Sequence, residues 1–469
     1  MTSSGVWMSI EILSRIQFAF TLTFHYIYPP LSIGISLLLI IMEGIYLKTK
    51  NPYWEKLTKF WLKVFALTFA LGVATGIPLQ FSLGTNWARY SRYVGDVFGS
   101  VIGAEGFFAF LIEAGFLGVL LFGWDRVSSK IHFLSTILVS FGAHFSAIWI
   151  VSANSWMQTP AGYAVKTASD GVEVAYVTDW SEMFFNPSNM THITHVLLSA
   201  WLTGAFLVVS VSAYYLHKKK HLEFAKRSMK VGALVAFVTA VLQLISADNL
   251  AGNVARNNPE KFAALEGVYK TEPSTPAYAF GWVDSAHQVV HGLSVPGLLS
   301  FLTYRNFETP VNGLDQFPQE NWPAVPLVFQ MYHIMIMMWG LMFLASLIGM
   351  YIWWKSRWTA NIWALRFLML SVVFPQIANI TGWYTACMGR QPWTVYKLLK
   401  TSDAFSANVS RGQLIGSLTM FVAIYLLFFA LFLLLLDRKI KHGPTLEEEQ
   451  IPYRDPFKSD TEEPTHDNS

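Results

Sequence analysis

The sequence predicts an all-α integral membrane protein of about nine transmembrane helices, and three observations carry that expectation. Of 469 residues, 53% are hydrophobic and 16% aromatic against only 13% charged, a balance that needs lipid as solvent. Apolar stretches long enough to cross a hydrocarbon core of roughly 30 Å, about 20 residues as helix, recur along the chain. Lys and Arg collect in every second short loop, as the positive-inside rule expects.

The stretches cover residues 14–47, 60–83, 99–122, 132–153, 192–216, 230–247, 325–354, 361–386 and 412–436. The first runs unbroken from about Ile12 to Leu47, too long for a signal-peptide core, and is expected to stay in the membrane. Lys48, Lys50, Lys56, Lys59 and Lys63 follow it; Arg126 and Lys130 follow the third, Lys218 to Lys220 with Lys226 and Arg227 the fifth, and Lys355 with Arg357 the seventh. Those loops are expected to face the cytoplasm. The segment 154–191 on the other side carries Asp170, Glu173, Asp179 and Glu182 against a lone Lys166. The N-terminus is therefore expected outside and the C-terminus inside.

On this reading residues 1–247 hold helices one to six, 248–324 form a large outer loop, 325–442 hold helices seven to nine, and 443–469 are a polar cytoplasmic tail. A loop of that size either binds something or is disordered. A net charge of +3 does not call for nucleic acid, and the single Cys387 excludes an intrachain disulfide framework.

Ionisable side chains at membrane depth cost several kcal/mol unless they pair, line a cavity or bind a cofactor. Here His25 lies in the first stretch, Glu105 and Glu113 in the third, His144 in the fourth, His195 in the fifth, and His333 with Met335 in the seventh. Singly, each His is as readily a packed, hydrogen-bonded residue as a ligand, and Met335 belongs to a Met-rich run that flexible packing also explains. Together, neutral imidazole and thioether are the usual axial ligands of haem iron. No CxxCH sequence is present, so any haem is not covalently attached. Glu105 and Glu113, about 12 Å apart along a helix, suit two stations of a proton relay better than one metal clamp.

Four local sequences then match a family. Leu13-Ser14-Arg15-Ile16-Gln17-Phe18 leading to His25, Phe81-Ser82-Leu83-Gly84-Thr85-Asn86-Trp87, Phe122-Gly123-Trp124-Asp125-Arg126 and Gly389-Arg390-Gln391-Pro392-Trp393 resemble subunit I of cytochrome bd-type quinol oxidases, in order, over roughly residues 8–436. The short outer loop and Gly382-Trp383-Tyr384 look closer to the cyanide-insensitive branch.

The resemblance implies roles residue by residue. His25 matches the axial ligand at the oxygen-reducing haem group; His195 and Met335 match the ligands of a low-spin haem b. Glu105 and Glu113 match carboxylates of the proton path, and Lys261 with Glu266 the outer-loop pair implicated in quinol oxidation. Trp383 matches a tryptophan beside the high-spin haems, and Arg390 a fixed cation balancing haem propionates. The implied cofactors are a low-spin haem b, a high-spin haem b and a third haem, d or b. The implied partners are quinol, O2, the lipid bilayer, a second membrane subunit and small single-span companions.

Two positions depart from the pattern. Where the family has a glutamate ligand two residues before the box glycine, this chain has Cys387, readable as a thiolate ligand, as an inert thiol, or as a gap filled by water or Met388. Where the family commonly has arginine two residues before the methionine ligand, it has His333, which restores that charge only when protonated and competes with Met335 for iron.

The sequence thus points to a terminal respiratory oxidase of the bacterial inner membrane, oxidising quinol outside and drawing protons from the cytoplasm. An altered-function paralogue is motivated by Cys387 and His333. An ion-coupled transporter predicts internal pseudo-symmetry, which is not found, and a haem-copper oxidase needs adjacent histidines that are missing.

Overall fold

The computed structural model describes residues 9–104, 110–358 and 361–444. Helix α1 (Ile10–His25) starts at Ser9, whose hydroxyl accepts from the Ile12 N–H, and stops two residues before α2 (Tyr28–Thr49). The break is written in Pro29 and Pro30. In one continuous helix their rings would collide with the carbonyls of His25 and Tyr26, so the chain interrupts there and leaves His25 at a corner.

Asn51 caps α3 (Pro52–Thr85), which leads through α4 (Ala88–Tyr93), α5 (Gly95–Ala104) and α6 (Phe110–Phe122) to α7 (Ser129–Gln158), capped by Ser128. An antiparallel hairpin, β1 (Tyr163–Thr167) and β2 (Glu173–Val177), and the short α8 (Trp180–Phe184) precede α9 (Asn189–Lys218). The chain turns through Lys219 and His221, both at positive φ, into α10 (Leu222–Asn257).

The segment expected as an outer loop therefore begins as helix. Asn249 is exposed and Asp248 half-buried, while Asn253 is buried and bonded to Ser188 Oγ and the Pro187 carbonyl; none of them interrupts the helix, which runs to Asn257, just before Pro259. After α11 (Pro259–Glu266) come a second hairpin, β3 (Ala277–Asp284) and β4 (Val289–Val295), and α12 (Leu298–Tyr304). Phe262, Leu265, Tyr269, Leu299 and Leu314 bury a small core of their own with Val325 and Val328, at the start of α13 (Val325–Trp354).

The chain closes with α14 (Ile362–Leu370), α15 (Val373–Met388), the small hairpin β5 (Trp393–Val395) and β6 (Leu399–Lys400), α16 (Thr401–Ala404) and α17 (Arg411–His442), which opens on a Ser410–Gln413 capping box.

Among the described residues eight helical stretches are long and apolar enough to cross a membrane, counting α1 with α2 and α14 with α15 as one each. They coincide with eight of the nine expected. α5 and α6 lie at the ninth, 99–122, where Glu105 falls outside the described residues. The expected tail also lies outside them beyond residue 444.

Helix α9 is the most enclosed. A Cβ added to Gly34 on α2 would sit 2.2 Å from the Ala200 carbonyl oxygen, and one on Gly204 2.3 Å from the Gly34 carbonyl carbon. Backbone packs on backbone, as small residues permit in lipid. Around this seam Tyr28, Trp61, Phe65, Phe206, Tyr215 and Met229 form the main core.

α17 is largely exposed, but one of its faces covers α1. Tyr425 and Phe429 meet Phe24 at ring separations of 6.3 and 5.9 Å, and the Tyr425 hydroxyl donates to the Thr75 carbonyl at 2.6 Å.

Candidate functional site

The corner between α1 and α2 holds His25 against α3. Its Nδ1 lies 3.1 Å from Thr75 Oγ1, and Thr75 donates its own hydrogen to the Leu71 carbonyl at 2.7 Å. Thr75 must then accept from Nδ1–H, which leaves Nε2 as the lone-pair nitrogen, the tautomer a metal ligand requires. Gly76 makes room for the ring: a Cβ there would come within 3.0 Å of His25 Cε1.

Helix α15 lies alongside this corner. Trp383 packs on Tyr26, the residue after His25, with ring centroids 5.4 Å apart, and the Tyr384 hydroxyl is 3.1 Å from Thr23 Oγ1. Cys387, one turn on from Trp383, is partly exposed and neighbours Tyr26, Lys261 and Arg390. The last turns of α15 thus run from Trp383 and Tyr384, beside the α1 end that carries His25, to Cys387 and, just past the helix end, Arg390.

Arg390 is buried, and among the described residues its Nε and Nη1 have no hydrogen-bond partner; Trp383 Nε1, Trp87 Nε1 and Asn86 Nδ2 are buried without such partners as well. Burial pulls the guanidinium below its ordinary pKa. A buried cation with two unanswered N–H groups is a costly arrangement unless an anion completes it, and a planar guanidinium suits a carboxylate. The residues present therefore fit a haem: a lone-pair imidazole for iron, orphaned donors for propionates and aromatic walls for the macrocycle.

The two residues matched by the resemblance to a low-spin haem lie on separate helix pairs, α9 with α10 and α13 with α15. On α9, His195 meets Gln243 of α10, whose Nε2 lies 3.1 Å from His195 Nε2. On α13, Met335 faces α15, where Gly382 leaves space for its sulfur. His333 is placed otherwise than a rival ligand would be. Its Nδ1 is 2.9 Å from the Phe329 carbonyl oxygen and its Nε2 3.0 Å from that of Tyr278, so both nitrogens are engaged by backbone.

Lys261 and Glu266, both buried on α11, do not face one another. Lys261 Nζ donates to Gln158 Oε1 at 3.2 Å and to the Ala386 carbonyl at 3.4 Å, on the Cys387 side. Gly389, the first residue of the Gly-Arg-Gln-Pro-Trp box, admits the lysine stem, since a Cβ there would be 2.9 Å from Lys261 Cγ. Glu266 takes a hydrogen bond from Tyr332 of α13, on the Met335 side. Burial and the nearby Arg390 push Lys261 down to about 7, and burial pushes Glu266 up to about 7. Both groups titrate in the neutral range.

Glu260 is buried next to Lys261. It accepts from the Tyr396 hydroxyl at 2.6 Å with Lys397 Nζ at 3.8 Å, fixing α11 to the hairpin after Arg390. Glu113 is buried on α6. His144 accepts from Trp201 Nε1 at 2.9 Å and has its Nδ1 2.7 Å from the Ser140 carbonyl, so its ring serves helix packing.

Gln158, Tyr332, Thr75 and Gln243 are site residues that the sequence did not single out. A polar side chain at the end of an apolar stretch was the available signal for Gln158; the others depend on tertiary pairing.

Comparison with known proteins places the chain in a family. A family profile described as cytochrome bd terminal oxidase subunit I matches residues 13–444. Cytochrome bd ubiquinol oxidase subunit 1 of Bacillus subtilis (strain 168) is 37% identical over 93% of this chain and 94% of its own length. Cytochrome bd-II ubiquinol oxidase subunit 1 of Escherichia coli (strain K12) is 32% identical over 95% and 99%. A chain of the bd oxidase structure from Geobacillus thermodenitrificans superposes with a TM-score of 0.84 at 28% identity, covering 93% of this chain and 99% of that one.

Proposed function

Because the chain belongs to the cytochrome bd terminal oxidase subunit I family, we propose that it is the catalytic subunit of a membrane quinol oxidase, moving electrons from quinol to O2 and releasing water. The observation that carries the reading is a pair of features on either side of helix α15: Arg390, buried just past its end with two N–H groups unanswered among the described residues, and His25, at the α1–α2 corner that α15 flanks, with Nε2 keeping its lone pair. Neither feature serves packing, and both serve an iron porphyrin with carboxylate arms.

Haem, when bound, supplies the iron that takes up quinol electrons and the iron at which O2 is reduced. His25 would hold the oxygen-side haem. His195 and Met335 would hold a low-spin haem b, and Cys387 a high-spin haem b; the third haem is d or a further b. Arg390 would pair with propionates, and Trp383 would wall the ring beside Tyr26.

Quinol docks against α11. Glu266 in its ionised form accepts a quinol hydroxyl proton, with Tyr332 holding the carboxylate in place. Lys261, anchored on Gln158 and Ala386, stabilises negative charge developing on the quinol oxygen. Protons from quinol leave on the outer side, and those for water enter from the Lys- and Arg-rich face through Glu113 and Glu105. Each charge so separated stores about 2.3 kcal/mol per 100 mV. A second membrane subunit, with small single-span companions, completes the complex in the bacterial cytoplasmic membrane.

Haem extraction with optical spectra of the purified complex, wild type and Cys387→Ala, together with oxygen consumption on quinol addition, tests this reading. The wild type is expected to carry more than one haem type and to consume oxygen, and the variant to lose or shift its high-spin b signal. An unaltered high-spin signal in the variant refutes the thiolate ligand. Colourless wild-type protein refutes the oxidase and returns the ion-coupled carrier.

A further inference from the structure

One polar stripe in the bundle has no part in the sites above. On α7, His132, Thr136, Ser140 and His144 recur every fourth residue, and the first three meet Glu43 and Ser36 on α2. Its most enclosed members are Glu43 and His132, each 1% exposed. His132 Nδ1 is 2.6 Å from Glu43 Oε1, and His132 Nε2 is 3.0 Å from the Leu120 carbonyl oxygen on α6. Thr136 Oγ1 donates to Glu43 Oε2 at 2.5 Å.

These contacts fix how many protons are present. Leu120 offers only an acceptor, so Nε2 carries a hydrogen. Two bare lone pairs facing each other across 2.6 Å in a buried site would be strongly repulsive, so one more proton lies between Nδ1 and Oε1. The pair holds one transferable proton, written as imidazolium with carboxylate or as imidazole with carboxylic acid.

Its place in the bundle suits that proton to supply. His132 lies in the first turn of α7 and Glu43 near the end of α2, at the end of the bundle that carries Lys48, Lys50, Arg126 and Lys130. Trp124 covers the pair, its ring 4.1 Å from that of His132, with Lys59 Nζ 5.1 Å from the Trp124 ring centre. One turn deeper than Thr136, Ser140 Oγ lies 2.9 Å from Ser36 Oγ and 3.5 Å from His144 Nδ1. From His132 to His144 the stripe runs about 18 Å into the bundle.

We propose that Glu43 and His132 form a proton-loading station for oxygen reduction, and that the hydroxyls of Thr136, Ser140 and Ser36 carry its proton inward along the α2–α7 seam. In the imidazole–carboxylic acid form, rotation of the Glu43 carboxyl carries its proton from the His132 side to the Thr136 oxygen, as that hydroxyl turns and releases its own proton inward. Water at the basic face then recharges the pair, so no net charge is left behind. The proposal rests on the reading that protons for water formation enter from that face.

The test is single-turnover proton uptake, followed with a pH-sensitive dye, when the reduced holoenzyme in nanodiscs meets O2. Glu43→Gln is expected to slow uptake at least about tenfold with haem spectra unchanged, and Glu43→Asp to restore most of the rate. Wild-type uptake by Glu43→Gln overturns the proposal. Should that variant fail to assemble, Thr136→Val and Ser140→Ala leave the pair intact: slowed uptake supports the relay, and unchanged uptake in both refutes it. Wild-type protein without haem or oxygen consumption would instead refute the oxidase reading itself, a separate result.

Discussion

The sulfur of Met335 rests against the backbone of Gly382 on the facing helix so closely that a Cβ on that glycine would lie 2.8 Å from it. Gly382→Ala is therefore expected to push the thioether out of place. The overpacking should cost about 1–3 kcal/mol of stability. On the proposed assignment of Met335, moving its thioether should also shift the low-spin haem band and its midpoint potential, which an optical redox titration checks.

Arg390 has two buried N–H groups awaiting an anion. Arg390→Gln is expected to weaken haem retention by about 10–100-fold, the usual range for losing a group that supports a cofactor from outside its ligand shell. Arg390→Lys keeps the charge but loses the planar fork, and should fall between. The haem-to-protein ratio after gel filtration reads both.

Quinol oxidation should peak near neutral pH. In the proposed role Glu266 works as a base only when ionised, so kcat/KM for quinol should rise through its pKa of about 7. Lys261 loses its cation as pH climbs through about 7, so the rate turns down above it. Glu266→Gln should abolish the rising limb and reduce the rate about 100-fold. Lys261→Met should abolish the falling limb. The Tyr332 hydrogen bond lowers the Glu266 pKa, so Tyr332→Phe should move the rising limb to higher pH. A pH profile of quinol-dependent oxygen uptake, run for each variant, decides all three.

Gly34→Ala and Gly204→Ala should each damage assembly far from any ligand, because the added methyl meets backbone within 2.3 Å and no side chain there can yield. A lowered Tm in detergent, with haem bands at wild-type wavelengths in whatever folds, is the expected result. A loss of at least about 1–3 kcal/mol follows from overpacking alone.

The membrane spans were legible because run length and the scarcity of charge are local signals. His25 and His195 stood out as rare groups in apolar surroundings, whereas Met335, one of several methionines in its run, was singled out through the family resemblance. The break at Pro29 and Pro30 is also local, but it hides inside one unbroken apolar run. Composition misleads at residues 248–257, where polar side chains, exposed at Asn249 and bonded inside the protein at Asn253, do not mark the end of the helix. Lys261 and Glu266 sit on one short helix, yet they belong to different neighbourhoods, Gln158 and Ala386 for one and Tyr332 for the other. No spacing rule separates them, since the partners come from three other helices. Glu43 stands visibly in the first apolar stretch, but the imidazole that gives it meaning is 89 residues away.

The aromatic cover laid by α17 over α1 leaves the His25 corner a single layer of rings away from the exposed outer side of that helix. Such a neighbourhood has the polarisability of oil on that side. On the proposed reading, a charge arriving at the corner gains little from it, so an electron and a proton arriving together are favoured over either alone.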